Sequence, residues 1–198
     1  MDVALIDAGG ANLGSVRYAL ERLGVDARVV RSGAELAGAQ RVILPGVGAA
    51  GPGMQALHAG GFVAPLRALA VPLLGVCLGM QLLFEASAEG EVEGLGLLPG
   101  RVEKLAPAPG LRWPHMGWNA LDDLAQDPLL DGIDAGDHAY FVHGYAVPVG
   151  PDTLATSTHG ARFSSIVRRG LALGAQFHPE RSAQTGARLL DNFLRWPT

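Results

Sequence analysis

Cysteine and lysine are almost missing: Cys77 is the only cysteine and Lys104 the only lysine in 198 residues. A lone cysteine cannot close an internal disulfide. Schiff-base and lysine-base chemistry are excluded unless Lys104 itself carries them. An excess of positive charge is missing too. With a formal net charge of −4, the chain has no basic stripe to neutralise a phosphate backbone, and no nucleic-acid partner is expected. Long uninterrupted apolar runs are also missing. The one uncharged stretch of membrane-like length, Ala68 to Phe84, is broken by Pro72, Gly75, Gly79 and Gln81. A buried strand turning into a helix explains it better than a membrane segment. The start, Met1-Asp2-Val3-Ala4-Leu5-Ile6-Asp7, has no basic segment followed by a long apolar one, so a cytoplasmic location is expected.

What is present is apolar material, 48% of the chain, ample for one substantial core, and a single domain over residues 1–198 is expected. Val3 to Ile6 reads as a strand, and Leu13, Val16, Leu20 and Leu23 recur at helical spacing up to Gly24. Ala27 to Val30, Val42 to Leu44 and Leu73 to Val76 read as short apolar runs, the signature of strands buried on both faces of a parallel sheet, and Leu171 to Phe177 is a further apolar strand candidate. The fold class expected is therefore α/β, an open and mostly parallel sheet flanked by helices. After about residue 97 the apolar pieces shorten and are broken by Gly and Pro, including Ala106-Pro107-Ala108-Pro109-Gly110. Added antiparallel strands are expected there. A final helix with Leu189, Leu190, Phe193 and Leu194 on its apolar face is closed by Trp196 and Pro197.

Gly75-Val76-Cys77-Leu78-Gly79 stands directly after an apolar strand and before Gln81-Leu82-Leu83-Phe84-Glu85, which reads as a helix. It is a thiol version of the G-x-S-x-G nucleophile elbow. Glycines on either side let the chain turn sharply around a strained nucleophile. The free N–H groups of the following helix favour a thiolate. A core cysteine would need neither glycine. His178 and Glu180, at the end of the strand candidate ending at Phe177, lie two apart around Pro179 in a segment expected to be extended, so that the carboxylate can orient the imidazole. Zinc is the competing use of Cys and His, but a single cysteine and the absence of a close His pair disfavour a metal site. Ser164-Ser165 lacks the glycine-framed elbow of a serine hydrolase.

Gly75-Val76-Cys77-Leu78-Gly79-Met80-Gln81 and His178-Pro179-Glu180 resemble the G-x-C-x-G-x-Q elbow and late H-P-E of class I, triad-type glutamine amidotransferases. Asp7 to Leu13, Pro45-Gly46-Val47-Gly48-Ala49, Pro114-His115-Met116-Gly117-Trp118-Asn119 and Tyr140 to Tyr145 extend the resemblance to the glutaminase subunits of imidazole glycerol phosphate synthase, over essentially the whole chain. Four places depart from that pattern: Ala8 and Ala11 in the first turn, Ala50 after P-G-V-G-A, Gly144 where Ser or Thr is common, and Arg181 in place of Lys.

The resemblance implies hydrolysis of L-glutamine through a Cys77 thioester, with His178 as acid and base and Glu180 holding its ring. The oxyanion donors would be the N–H of Leu78 and one from the loop of Val47 and Gly48. Gly46, Gln81, Glu89, His143, Gly144 and Tyr145 would bind glutamine. No cofactor and no metal are implied. The partner implied is a (β/α)₈-barrel cyclase subunit in a heterodimer, with ammonia passed between the subunits in histidine biosynthesis. Asn12, Met116, Trp118, Asn119, Tyr140 and Arg181 would form the interface, where Met and aromatic residues are enriched. The alternatives are a class I glutaminase serving another synthase, such as that of vitamin B6, a stand-alone cysteine hydrolase, or a binding module that keeps the fold.

Overall fold

A computed structural model of the chain describes residues 1–9, 13–106 and 108–196. Residues Gly10, Ala11, Asn12, Pro107 and Pro197, which the sequence reading uses, lie outside them. The first half runs β1 (Val3–Ile6), α1 (Leu13–Arg22), β2 (Arg28–Val30), β3 (Arg41–Gly46), α2 (Ala50–Ala59), α3 (Val63–Arg67), β4 (Leu73–Cys77) and α4 (Leu78–Gln81). The second half runs β5 (Phe84–Ser87), β6 (Val92–Glu93), β7 (Leu98–Lys104), β8 (His115–Ala120), β9 (His138–His143), β10 (Tyr145–Ala146), β11 (Thr153–His159), β12 (Ala161–Arg169), β13 (Ala172–Ala175) and α5 (Ala183–Leu194).

Seven strands form the central sheet in the order β11-β12-β13-β4-β3-β1-β2. From β2 to β13 every pairing is parallel; β12 and then β11 extend the sheet antiparallel. This is the open, mostly parallel sheet with antiparallel additions that the apolar runs call for. Side chains alternate across it, as strand geometry requires. Val3, Leu5, Ile43, Leu74 and Val76 pack with Val16 and Leu20 of α1 and with Leu189, Leu190 and Phe193 of α5. Ala4, Ile6, Val42, Leu44 and Leu73 pack on the other face with Met54, Leu57 and Leu66 of α2 and α3. Buried Arg41 donates to the carbonyls of Phe193 and Trp196, so it ties the end of α5 to β3. No helix among the described residues is long and apolar enough to cross a membrane.

One expected helix is much shorter than read. After Cys77 the helix lasts only Leu78–Gln81, and Phe84–Ser87 is a strand. The cause is tertiary. Carbonyls of Leu82, Leu83 and Phe84, which a continuing helix would use internally, accept instead from the N–H groups of Leu95, Leu97, Leu98 and Gly96. That exchange seats a small sheet, β10-β7-β5-β6, beside the central one.

The hairpin β8-β9 pairs His115 with His143 and Trp118 with Tyr140. Its inner face presents His115, Phe141 and His143 to Phe163 and Phe177. Two histidines lie in this apolar setting because one directed chain of hydrogen bonds satisfies them. The Asn119 amide donates to His115 Nε2 (3.3 Å), His115 Nδ1 donates to His143 Nε2 (3.0 Å), and His143 Nδ1 donates to the Tyr145 carbonyl (2.8 Å). A donor at one end and a carbonyl at the other fix both rings as neutral Nδ1–H tautomers. Burial, with neighbouring histidines as the smaller cause, pushes His115 down to about 4 and His143 down to about 3.

Between their ordinary 6.5 and about 4, the unfolded chain therefore binds protons at these rings that the folded protein does not. Stability must fall as pH falls through that window. In His115→Phe one such proton is gone, and the slope of unfolding free energy against pH should be shallower by about 1.4 kcal/mol per pH unit. Denaturant titrations across the window measure it; a slope equal to that of the parent would show that His115 does not titrate on unfolding.

Candidate active site

β4 ends at Cys77 with φ 55° and ψ −113°, and α4 begins at the next residue. A non-glycine residue held there stores strain that the surroundings must impose. They impose it by close packing. A Cβ at Gly79 would lie 1.8 Å from the Leu44 carbonyl oxygen, and a Cβ at Gly75 would lie 2.6 Å from the Gly79 oxygen. A Cβ at Gly46 would lie 2.7 Å from the Gly79 nitrogen. The two glycines of the motif are thus needed to bring β3, β4 and α4 together. Cys77 is buried at 6% exposure. Its thiol lies 3.7 Å from the Val142 carbonyl and 3.9 Å from the Gln176 side-chain nitrogen. α4 is a single turn of four residues, so no long helix dipole stands behind Cys77.

His178 follows β13 with an extended backbone, but Pro179–Arg181 is a 3₁₀ turn, so Glu180 is not in the extended segment expected. The turn itself brings the carboxylate back. His178 Nδ1 donates to Glu180 Oε1 at 2.9 Å, with side-chain exposures of 12% and 6%. Nε2 is thereby left for Cys77. Burial opposes charge on His178, yet hydrogen bonding and attraction from Cys77 and Glu180 outweigh it and raise its pKa to about 10. The backbone of His178 is clamped: its N–H donates to the Tyr140 carbonyl (2.9 Å), its carbonyl accepts from Ser182 Oγ (2.7 Å), and Ser182 Oγ accepts from Tyr140 N–H (2.9 Å). Glu180 Oε2 is buried with no partner among the described residues.

Cys77 and His178 share a cavity with Val47, Gly48, Leu78, Gln81, Glu89, Val142, His143, Gly144 and Tyr145. Ten of the residues singled out from the sequence meet here. Gly46 does not; it lines the adjoining cavity with Glu180 and Arg181, and its role is the close approach to Gly79. Gln81 is buried, not on a solvated helix face, and donates to the Tyr145 carbonyl and to Gln176 Oε1, both at 2.9 Å. Glu89 lies in the turn after β5, and its carboxylate accepts from the Ala50 N–H at the start of α2 (2.9 Å). Gln176, which sequence reasoning missed, is fully buried and links Gln81 to Cys77. The signal was available as a polar residue inside an apolar strand run. Ser182, also missed, carried no comparable signal.

On the outer face of the β8-β9 hairpin Met116 and Trp118 are 64% and 53% exposed. Tyr140 meets Trp118 edge to face, and the exposed Arg181 guanidinium stands 4.4 Å over the Tyr140 ring. Asn119 does not join this face, because strand alternation turns it the other way. Its amide donates to the Thr158 carbonyl and to His115. Asn12 lies outside the described residues.

Residues 4–196 match the model of the family "Glutamine amidotransferase class-I". The chain is 68% identical over 193 residues to the imidazole glycerol phosphate synthase subunit HisH of Xanthomonas oryzae pv. oryzae, covering 98% of this chain and 96% of that one. It is 61% identical, with the same coverage, to the subunit of that name from Xylella fastidiosa. A crystal structure of a glutamine amidotransferase superposes with a TM-score of 0.76 at 25% identity, covering 98% of both chains. The PurLQS structure from Thermotoga maritima shares the fold, with a TM-score of 0.77 at 19% identity, and the match covers 98% of each chain. With its glycine-framed cysteine facing a carboxylate-bound histidine, the chain belongs to the class I glutamine amidotransferases and, within them, to the HisH subunits of imidazole glycerol phosphate synthase.

Proposed function

We propose that this chain hydrolyses L-glutamine to glutamate and ammonia and delivers the ammonia to a cyclase subunit that makes imidazole glycerol phosphate in histidine biosynthesis. The observation that carries the reading is the placement of Cys77, at φ 55°, in one cavity with His178, whose ring is fixed by Glu180 at 2.9 Å.

In the first step the Cys77 thiolate attacks the side-chain amide carbon of glutamine, and the carbonyl oxygen becomes an oxyanion. The Leu78 N–H and an N–H of the Val47-Gly48 segment, both lining the cavity, are the proposed donors. Collapse of the tetrahedral species breaks the C–N bond as His178 Nε2 gives its proton to the leaving nitrogen, leaving a γ-glutamyl thioester. The raised pKa of His178 means that this proton is in place at neutral pH. His178, now neutral, takes a proton from water, whose oxygen attacks the thioester; breaking the C–S bond releases glutamate and returns the Cys77 thiolate beside a protonated His178. Glu89, the acidic side chain lining the cavity, is the proposed contact for the α-ammonium of glutamine.

The Met116, Trp118, Tyr140 and Arg181 face is the proposed docking surface for the cyclase. Met116, Trp118 and Tyr140 lie on the hairpin whose Tyr140 backbone clamps His178, and Arg181 stands in the turn that follows His178, so docking and catalysis share these elements.

Cys77→Ala in the complex should abolish glutamine-dependent cyclisation while cyclisation with added ammonium salt continues; loss of both would remove Cys77 from its assigned role. His178→Ala should lower glutamine turnover by about 10²- to 10⁴-fold, and Glu180→Gln by less, because the imidazole stays and only its orientation suffers. Equal loss in a folded Glu180→Gln would require a more direct part for the carboxylate. Gly48 has φ +90° and Val47 is 42% exposed, so the oxyanion loop is free to present its peptide in either sense. Turnover by the chain alone should therefore be lower than in the complex by on the order of 10²- to 10³-fold. Equal rates, measured with and without the cyclase and its ligand, would rule out the switch.

A further inference from the structure

Gly144 is the single residue between β9 and β10, and it lines the cavity in front of Cys77. Its carbonyl accepts two N–H groups, the backbone of Leu105 at 3.0 Å and the indole Nε1 of Trp113 at 3.1 Å. A Cβ at position 144 would lie 2.8 Å from Trp113 Cζ2 and 3.1 Å from Cε2. The indole thus fills the space that a side chain at 144 would take. Lys104 holds the ring as well, with Nζ 4.8 Å from the ring centroid, and Lys104 is the register partner of Tyr145. Trp113 is 45% exposed, so burial does not account for its placement. Its contacts with Gly144 and Lys104 do.

The neighbouring peptide makes this placement consequential. The Tyr145 carbonyl accepts from both Gln81 Nε2 and His143 Nδ1, and Gln81 in turn reaches Gln176 beside Cys77. A shift of the strand break at 144 therefore moves the wall of the cavity and the amide that spans it.

We propose that Trp113 is a positioning residue for glutamine binding: it fixes the Gly144 strand break through its N–H and its ring, and it is the reason that position 144 has no side chain. This rests on the glutaminase reading of the site. Tryptophan here also makes the pocket wall adjustable by a pair of residues, 113 and 144, rather than by either alone.

The test uses the complex with the cyclase and measures glutamine KM and kcat for Trp113→Phe, Trp113→Ala, Gly144→Ser and the double variant Trp113→Ala with Gly144→Ser. Loss of the Nε1 donor in Trp113→Phe should raise KM for glutamine roughly 2- to 10-fold. In the same variant kcat should stay within about twofold, since a loss of properly folded enzyme would lower kcat and leave KM alone. Gly144→Ser should raise KM in the parent, where the ring blocks the new side chain, and add little on the Trp113→Ala background, where it does not. Unchanged KM in both Trp113 variants, or additive effects in the double variant, would overturn the proposal. A parent complex that turns over no glutamine would overturn the glutaminase reading instead. Trp113→Phe keeps an aromatic ring while removing the Nε1 donor, and so decides the matter even if Trp113→Ala does not fold.

Discussion

A backbone approach too tight for any side chain holds the site together. Where Gly79 meets the Leu44 carbonyl and Gly75 meets Gly79, β3, β4 and α4 lie closer than a Cβ on either glycine would permit. Cys77 is the residue between these two contacts, and it takes the left-handed backbone that the turn demands. Strain of this kind persists only where the surroundings over-determine it. Here the surroundings are the middle of a parallel sheet, with β3 and β13 fixed on either side of β4. The same parallel pairing carries His178 to the site, since β13 runs beside β4 and both deliver their functional residue at the same end.

Three histidines in this region meet different fates for reasons of partnership rather than burial alone. His115 and His143 are paired with each other, an amide and a carbonyl, and no carboxylate among those hydrogen-bond partners rewards a positive charge, so burial keeps them neutral. His178 is also buried, yet a carboxylate at 2.9 Å and the thiol nearby make the charged form the favoured one. The neutral pair ends its hydrogen-bond chain on the Tyr145 carbonyl, and His143 and Tyr145 both line the cavity. The charged ring is kept for proton transfer in the proposed mechanism. Both arrangements are anchored on β9, whose Tyr140 backbone holds His178 and whose end supplies His143.

The strand runs Val3 to Ile6, Val42 to Leu44 and Leu73 to Val76 were readable because burial on both faces leaves continuous apolar stretches; the first matches the observed strand to the residue, and the limits of the other two differ by a residue or two. The elbow was readable because glycine at two fixed offsets from a cysteine has few other uses. Local reasoning failed where distant backbone intervened. The run after Gln81 has helical composition, but amides of residues 95–98 capture its carbonyls and make it a turn and a strand. Glu180 was expected in an extended segment and sits in a 3₁₀ turn, packed against Gly186 so closely that a Cβ there would lie 1.9 Å from the Pro179 oxygen. Asn119 was grouped with Met116 and Trp118 by its neighbourhood in the chain, and strand alternation separates it from them.

The sequence by itself determined the parallel sheet, the glycine-framed turn at Cys77 and the pairing of His178 with Glu180, because each depends on residue type at short spacing. Tertiary structure alone decided which polar groups share the cavity. Gln176 lies 99 residues from Cys77 in the chain, and Gln81 lies 64 from Tyr145. Trp113 reaches Gly144 across a separation of 31. Such meetings are set by how strands order themselves in a sheet and how hairpins dock on it, and no local pattern of residues encodes a contact between segments that only the folded sheet brings within hydrogen-bonding range.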